Sequence, residues 1–236
     1  MEKRLAATIA IVMLAATVGA FCNTAPGNST SSSTPNDTTS FPVTASPHSL
    51  HAHRIVCVGD STTEGFADPD NWPYHLKARL GGDWEVIDQG VGGAFTADML
   101  DRIDAALQLN PHFVVVMGGM NDLTNGKPLE TIQVNIDAMC TRIESHGAVP
   151  VLCTVTPTSD HLAQRDQLNA WITEYARLRG YDVIDFCAVI NNKLNPGSSD
   201  PTLVLSDGKH PNAAGYAAMG NAIDLAIFTG SIQGSP

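Results

Sequence analysis

The sequence predicts an α/β fold: one doubly wound domain with a central five-stranded parallel sheet lying between helices. Three observations predict it. From His53 onward, short apolar runs alternate with longer amphipathic ones. The short runs are mostly continuous in their apolar character, as in strands covered on both faces. The stretches between them are long enough for the helices that parallel neighbours need as right-handed crossovers.

Each element follows in order. Arg54–Gly59 holds the run Ile55-Val56-Cys57-Val58 and stops at Gly59-Asp60-Ser61, so it reads as the first strand. Trp72–Leu80 is the first helix, Trp84–Asp88 the second strand and Ala97–Leu109 the second helix. Phe113–Gly118, Val149–Val155 and Tyr181–Phe186 are the remaining strands, separated by helices over Leu129–His146 and Leu162–Arg179. A last helix follows Pro211, because proline suits a first turn whose N–H would have no partner. No internal repeat is present.

The two ends differ in composition from this domain, which spans residues 51–230. In residues 1–21, Lys3-Arg4 precedes an apolar stretch from Leu5 to Phe21 that closes on small residues, the pattern of a secretory signal peptide. The stretch is short for a bilayer crossing, which takes about 20 apolar residues. Acylation at Cys22 is a weaker alternative, because bulky Phe21 precedes it. Residues 22–50 are rich in Ser, Thr, Pro and Asn and lack the apolar surface to offset ordering, so a disordered linker is expected. Asn28 and Asn36 match the glycosylation acceptor pattern. A secreted or cell-surface protein is expected, with surface tethering through the N-terminal segment as one arrangement.

Charge excludes one class of partner. With 13 basic and 24 acidic side chains the net charge is -11, and nucleic acid is not an expected partner, since phosphate backbones are held by clustered Lys and Arg. The five cysteines show no CxxC spacing. Secretion would permit disulfides, but buried free thiols are the preferred reading of Cys57, Cys140, Cys153 and Cys187. No metal is expected, because no His-x-x-x-His pair occurs and no third ligand converges. No cofactor is expected either. A phosphate-binding loop at Gly59–Gly65 is disfavoured by Asp60 and Glu64 and by the lack of a Gly-Lys-Ser/Thr ending.

Ligands of open parallel sheets bind outside the carboxyl ends of the strands. That rim collects Gly59-Asp60-Ser61, the loop after Asp88 and the loop after Met117, and Asp207-Gly208-Lys209-His210 can fold back to it. Ser61, Asp207 and His210 are the residue types of a nucleophile, an orienting carboxylate and a general base. Singly, each has a structural reading. Ser61 could cap a helix, Asp60 could shape a turn, Asn121-Asp122 could be loop chemistry, and Asp207-Gly208 could be a plain turn before a surface histidine. The other seven histidines have no such context.

Jointly, Gly59-Asp60-Ser61, Gly90-Val91-Gly92-Gly93, Gly119-Met120-Asn121-Asp122 and Asp207-Gly208-Lys209-His210-Pro211 resemble the four blocks of the SGNH hydrolases, also called GDSL esterases and lipases. Order and separation are similar, over about Arg54 to Phe228. The resemblance implies a flavodoxin-like domain and a carboxylic ester hydrolase. It implies catalysis by Ser61, Asp207 and His210, and an oxyanion hole of the Ser61 and Gly93 N–H groups with the Asn121 amide. Asp60 would shape the nucleophile loop. Asp88 departs from the family's usual Asn, Ala94-Phe95-Thr96 from Asp-Thr-Thr, and Thr62-Thr63-Glu64 from the usual Leu or Ile after the serine.

The expected substrate is a small-molecule or polymer-attached ester, with acetyl or other short acyl groups on carbohydrate placed first. A lipase-like acylhydrolase, thioesterase or lysophospholipase is the alternative, and a catalytically idle glycan-binding relative is the reading from another class. Asn191–Leu205, the longest irregular stretch, is expected to line the acyl or alcohol pocket. The oligomeric state is left open.

Overall fold

A computed structural model describes residues 51–66, 68–159 and 163–230; the expected signal peptide (1–21) and linker (22–50) lie outside them. Five strands, β1 (His51–Gly59), β2 (Glu85–Gly90), β3 (Pro111–Met117), β4 (Val149–Cys153) and β5 (Asp182–Ile184), form one sheet in the order β2-β1-β3-β4-β5. All four pairings are parallel. This is the doubly wound architecture that the sequence predicts, with the order reversing between β1 and β3.

Alternate residues of the central strands feed two separate cores. Val56, Val58, Val114, Val116 and Leu152 face one side, under α3 (Thr96–Leu107), α5 (Leu129–Ser145) and α6 (Ala163–Arg179). Ile55, Cys57, Phe113, Val115, Val151 and Cys153 face the other, under α2 (Trp72–Leu80), α7 (Phe186–Ile190), α8 (Ala213–Ala222) and α9 (Ala226–Thr229). Because both sides are covered, β1 from Ile55 to Val58 and β3 from Phe113 to Met117 are apolar at every position and show no polar alternation. Cys57, Cys140 and Cys153 are buried free thiols, and Cys187 is free and half-buried.

The main helices fall where the amphipathic runs place them, with ends adjusted by local chemistry. Asn71 caps α2 by accepting from the Tyr74 N–H at 3.0 Å, with Pro73 in the first turn. The last strand is shorter than expected: Tyr181 precedes it and Phe186 opens α7. Asp185 causes the switch, since its carboxylate accepts from the Ala188 N–H at 3.1 Å and caps a helix where the apolar run alone suggests more strand. After Pro211, Asn212 accepts from the Gly215 N–H at 3.0 Å and starts α8.

Register sets the working rim. Gly59 of β1 aligns with Gly90 of β2 and with Met117 of β3. Three strands therefore end level, and the loops that leave them share one edge.

Candidate active site

The first of these loops turns at once into α1 (Ser61–Glu64), a helix of one turn. Asp60 is its cap: the carboxylate accepts from the Thr62 N–H at 2.9 Å, and the Asp60 carbonyl accepts from Thr63 and Glu64. Burial pushes the Asp60 carboxyl above its ordinary range, against the Thr62 hydrogen bond and the nearby Lys209 charge that favour ionisation. Ser61 is thus not the cap. Its hydroxyl is released from local duties and points across the rim.

α1 can sit this low because the strand ends beneath it have no side chains. A Cβ on Gly59 would lie 2.0 Å from Thr63 Oγ1, and one on Gly90 would lie 2.1 Å from the Glu64 nitrogen. Asn71 then ties the loop down. Its Nδ2 donates to the Thr63 and Glu64 carbonyls, and to Asp88 Oδ2 at 2.6 Å. Asp88 Oδ1 accepts from the Gly90 N–H at 2.7 Å. The acid at position 88 therefore serves to bolt the second loop to the first, and desolvation raises its pKa.

The fourth block folds back onto this rim. Ser61 Oγ lies 2.9 Å from His210 Nε2, across 149 residues of chain, and His210 Nδ1 lies 2.6 Å from Asp207 Oδ2. A carboxylate accepts only, so the proton of the neutral ring resides on Nδ1, and Nε2 is left to accept from the serine hydroxyl. Asp207 Oδ1 also accepts from the Lys209 and His210 N–H groups, at 2.9 and 3.0 Å. Desolvation pushes the Asp207 carboxyl up, but the His210 ring and these two N–H donors outweigh it and hold the value at about 2. Three residues of spacing suffice because one turn closes the pair.

The remaining blocks supply donors. Between β2 and α3 the Ala94 N–H closes a turn on the Val91 carbonyl at 3.1 Å. Gly93 in that turn has φ +77°, with nothing within 4 Å of a would-be Cβ. The N–H groups of Ser61 and Gly93 have no acceptor among the described residues. Asn121, in α4 (Met120–Thr124), is buried and donates one Nδ2 hydrogen to the Ala94 carbonyl at 2.9 Å. Gly92 also lines the cleft, but a Cβ there would meet Glu64 Oε2 at 2.7 Å, whereas the space at Gly93 is open.

The structure thus brings Ser61, Gly93, Asn121 and His210 onto one cleft of about 230 Å³, together with Phe66, Gly92 and Lys209. Asp207 stands behind the histidine and Asp60 beneath the serine. A hydroxyl bonded to an imidazole, itself bonded to a carboxylate, beside three free N–H groups, can deliver an oxygen nucleophile and receive an oxyanion.

Several contributors have roles that the motifs do not show. Phe66 stacks on His210, ring centroids 3.9 Å apart and planes 10° from parallel. Its N–H donates to the hydroxyl of buried Tyr216 at 3.2 Å. Asp122, which the sequence offers as loop chemistry, is 2 % exposed and accepts from both the N–H and the hydroxyl of Thr96 at 2.9 and 2.8 Å. This clamps the Asn121 turn to the start of α3.

One expectation is corrected. No residue of Asn191–Leu205 lines the Ser61 cleft. Asn191, Pro196 and Gly197 line a separate, larger cleft of about 530 Å³ beyond β4 and β5, with Arg165 and Asp185. The segment instead buttresses the histidine turn from behind, where Ser199 Oγ donates to the Gly208 carbonyl at 2.8 Å.

Residues 57–218 match the family model described as GDSL-like lipase/acylhydrolase. A structure described as a lipolytic protein of the G-D-S-L family from Desulfitobacterium hafniense is 27 % identical, with TM-score 0.67, covering 72 % of this chain and 97 % of that one. One described as an acylhydrolase from Bacteroides fragilis is 24 % identical (TM-score 0.67; 76 % and 88 % covered). An acetyl xylan esterase is 21 % identical (TM-score 0.62; 72 % and 96 % covered). No curated protein matches the chain in sequence.

Proposed function

The chain belongs to the GDSL-like lipase/acylhydrolase family and is a carboxylic ester hydrolase; from that premise we propose that Ser61 is its nucleophile and that it removes acetyl or other short acyl groups from carbohydrate esters. The observation that carries the mechanism is the unbroken line from Ser61 Oγ to His210 Nε2 and from His210 Nδ1 to Asp207, at 2.9 and 2.6 Å.

Ser61 Oγ attacks the ester carbonyl while His210 Nε2 takes its proton, and Asp207 stabilises the imidazolium that forms. The carbonyl oxygen becomes an oxyanion held by the Ser61 and Gly93 N–H groups and the uncommitted Nδ2 hydrogen of Asn121, donors typically worth about 10²–10³ in rate each. The tetrahedral intermediate collapses, the C–O bond to the alcohol breaks, and His210 returns the proton to that oxygen. Water then repeats the sequence on the acyl-serine, releasing the acid and restoring Ser61.

The size of the cleft supports a short acyl group, and its openness on the rim supports an alcohol that is part of a polymer. The acetyl xylan esterase among the structural neighbours supports the same substrate class. Exposed Phe66 and Val91 at the rim favour the second reading, an acylhydrolase of longer or lipid-like esters. Export behind residues 1–21, with residues 22–50 as a tether, suits an enzyme whose polymeric substrate lies outside the cell.

The test is hydrolysis of p-nitrophenyl esters from acetate to palmitate, with Ser61→Ala and His210→Ala alongside. Fastest turnover on acetate, with both variants inactive, supports the proposal and makes acetylated polysaccharide the next substrate. A preference for long chains replaces the carbohydrate reading with the lipid one. If wild type and Ser61→Ala are equally slow on every ester and a fluorophosphonate leaves Ser61 unlabelled, the chain is an idle binding relative.

A further inference from the structure

The turn that delivers His210 delivers a second side chain to the cleft. Lys209 Nζ donates to Asn121 Oδ1 at 3.1 Å, across 88 residues of chain, while Asn121 Nδ2 donates to the Ala94 carbonyl at 2.9 Å. An ammonium only donates and a carbonyl only accepts. The two bonds together dictate which end of the amide is oxygen and which is nitrogen, and they leave one Nδ2 hydrogen uncommitted. Lys209 is half-buried, and it is the one lysine or arginine among the described residues that line the cleft.

We propose that Lys209 is a positioning residue of the ester-hydrolysing site: through Asn121 it aims the free amide N–H at the developing oxyanion and makes that N–H a stronger donor. The proposal rests on the reading of Asn121 as an oxyanion donor. A cation bonded to the amide oxygen draws electron density from the nitrogen and acidifies its hydrogens. Linked hydrogen bonds polarise one another in this way, most strongly where one member is charged. The donor it strengthens meets a negative charge that appears only in the transition state, so the effect falls on turnover more than on substrate binding. Holding a lysine in one rotamer also has an entropic cost, which the bond to Asn121 offsets.

The experiment uses the full chain with p-nitrophenyl acetate and compares wild type, Lys209→Met, Lys209→Arg, Asn121→Ala, the Lys209→Met/Asn121→Ala double variant and Ser61→Ala. Lys209→Met is expected to lower kcat by about tenfold with KM nearly unchanged, the size of one lost charge-assisted bond. Lys209→Arg, which keeps a cationic donor, should recover most of it. In the Asn121→Ala background the same Lys209→Met change should alter kcat by less than about twofold, because the charge acts through the missing amide. The proposal is overturned if Lys209→Met retains wild-type kcat, if its effect is in KM alone, or if its full effect persists without Asn121. Ser61→Ala separates the two levels. Turnover surviving in that variant defeats the parent mechanism, whereas an inactive Ser61→Ala beside a fully active Lys209→Met defeats only the role of Lys209.

Discussion

Phe66 lies flat against His210, with ring centroids 3.9 Å apart and planes within 10°, although Phe66 is 57 % exposed. An aromatic ring left that open gains little from burial, so its order comes from the stack and from the N–H bond to Tyr216. The stack blocks one face of the imidazole and limits its swing about the bond to Asp207.

Phe66→Ala should therefore lower kcat by about three- to tenfold, in line with the roughly 0.5–1.5 kcal/mol of an aromatic pair, and leave the melting temperature almost unchanged. Phe66→Trp should retain activity. Steady-state kinetics and thermal melts of the two variants check this. An Ala variant with wild-type kcat would show that Asp207 alone orients the ring.

The sequence makes the strands and the catalytic blocks legible for one shared reason. Strands buried on both faces must be apolar throughout, and a site on the sheet rim needs particular side chains immediately after those strands. Both constraints leave local marks, such as Val58-Gly59-Asp60-Ser61. Phe66 and Tyr216 leave none, and Asp122 shows its block but not its partner, because their roles depend on contacts 144, 150 and 26 residues away that only the closed fold supplies: Phe66 with His210, Tyr216 with Phe66, Asp122 with Thr96. The misplacement of Asn191–Leu205 has a similar origin. Nearness in sequence to His210 says nothing about which side of the histidine turn a loop packs on, and the Ser199–Gly208 bond puts it behind.

Gly90 tests the close approach of α1 to the sheet. A methyl group there would lie 2.1 Å from the Glu64 nitrogen and 2.6 Å from its Cα, both backbone atoms that cannot rotate away. Gly90→Ala should destabilise the fold by about 1–3 kcal/mol, the usual range for overpacking, and displace Ser61 from His210 so that activity falls as well. Gly82→Ala, where nothing lies within 4 Å, should do neither. Denaturant melts of both variants decide the matter, and equal stabilities would mean that the helix has room to move.

Asp60 separates capping from charge. Its carboxylate caps α1 through Thr62, yet burial raises its pKa, so the folded state favours the protonated form and ionisation opposes folding at neutral pH. Asn caps as well as Asp does and carries no charge. Asp60→Asn should thus melt at or above the wild-type temperature at pH 7, while Asp60→Ala should lose about 1 kcal/mol with the cap. The argument fails if Asn is as damaging as Ala in thermal melts.

Asp207 has the opposite sign. Its folded pKa of about 2 lies below the ordinary aspartate value of about 3.9, so the fold prefers the ionised carboxylate. The stabilisation is complete above the unfolded value and disappears as pH falls through the folded one, giving a window from about pH 4 down to about pH 2. Asp207→Asn cannot titrate there. The stability difference between wild type and Asp207→Asn should accordingly shrink as pH falls from about 4 to about 2, as read from denaturant melts at stepped pH. Activity at pH 7 should fall far more than stability, by up to about 10⁴-fold, because an amide can present its N–H to Nδ1, favour the wrong tautomer and leave the imidazolium uncompensated. A stability gap that stays the same down to pH 2 would mean that the three hydrogen bonds do not discriminate the charged carboxylate from a neutral group, and that Asp207 orients His210 by geometry alone.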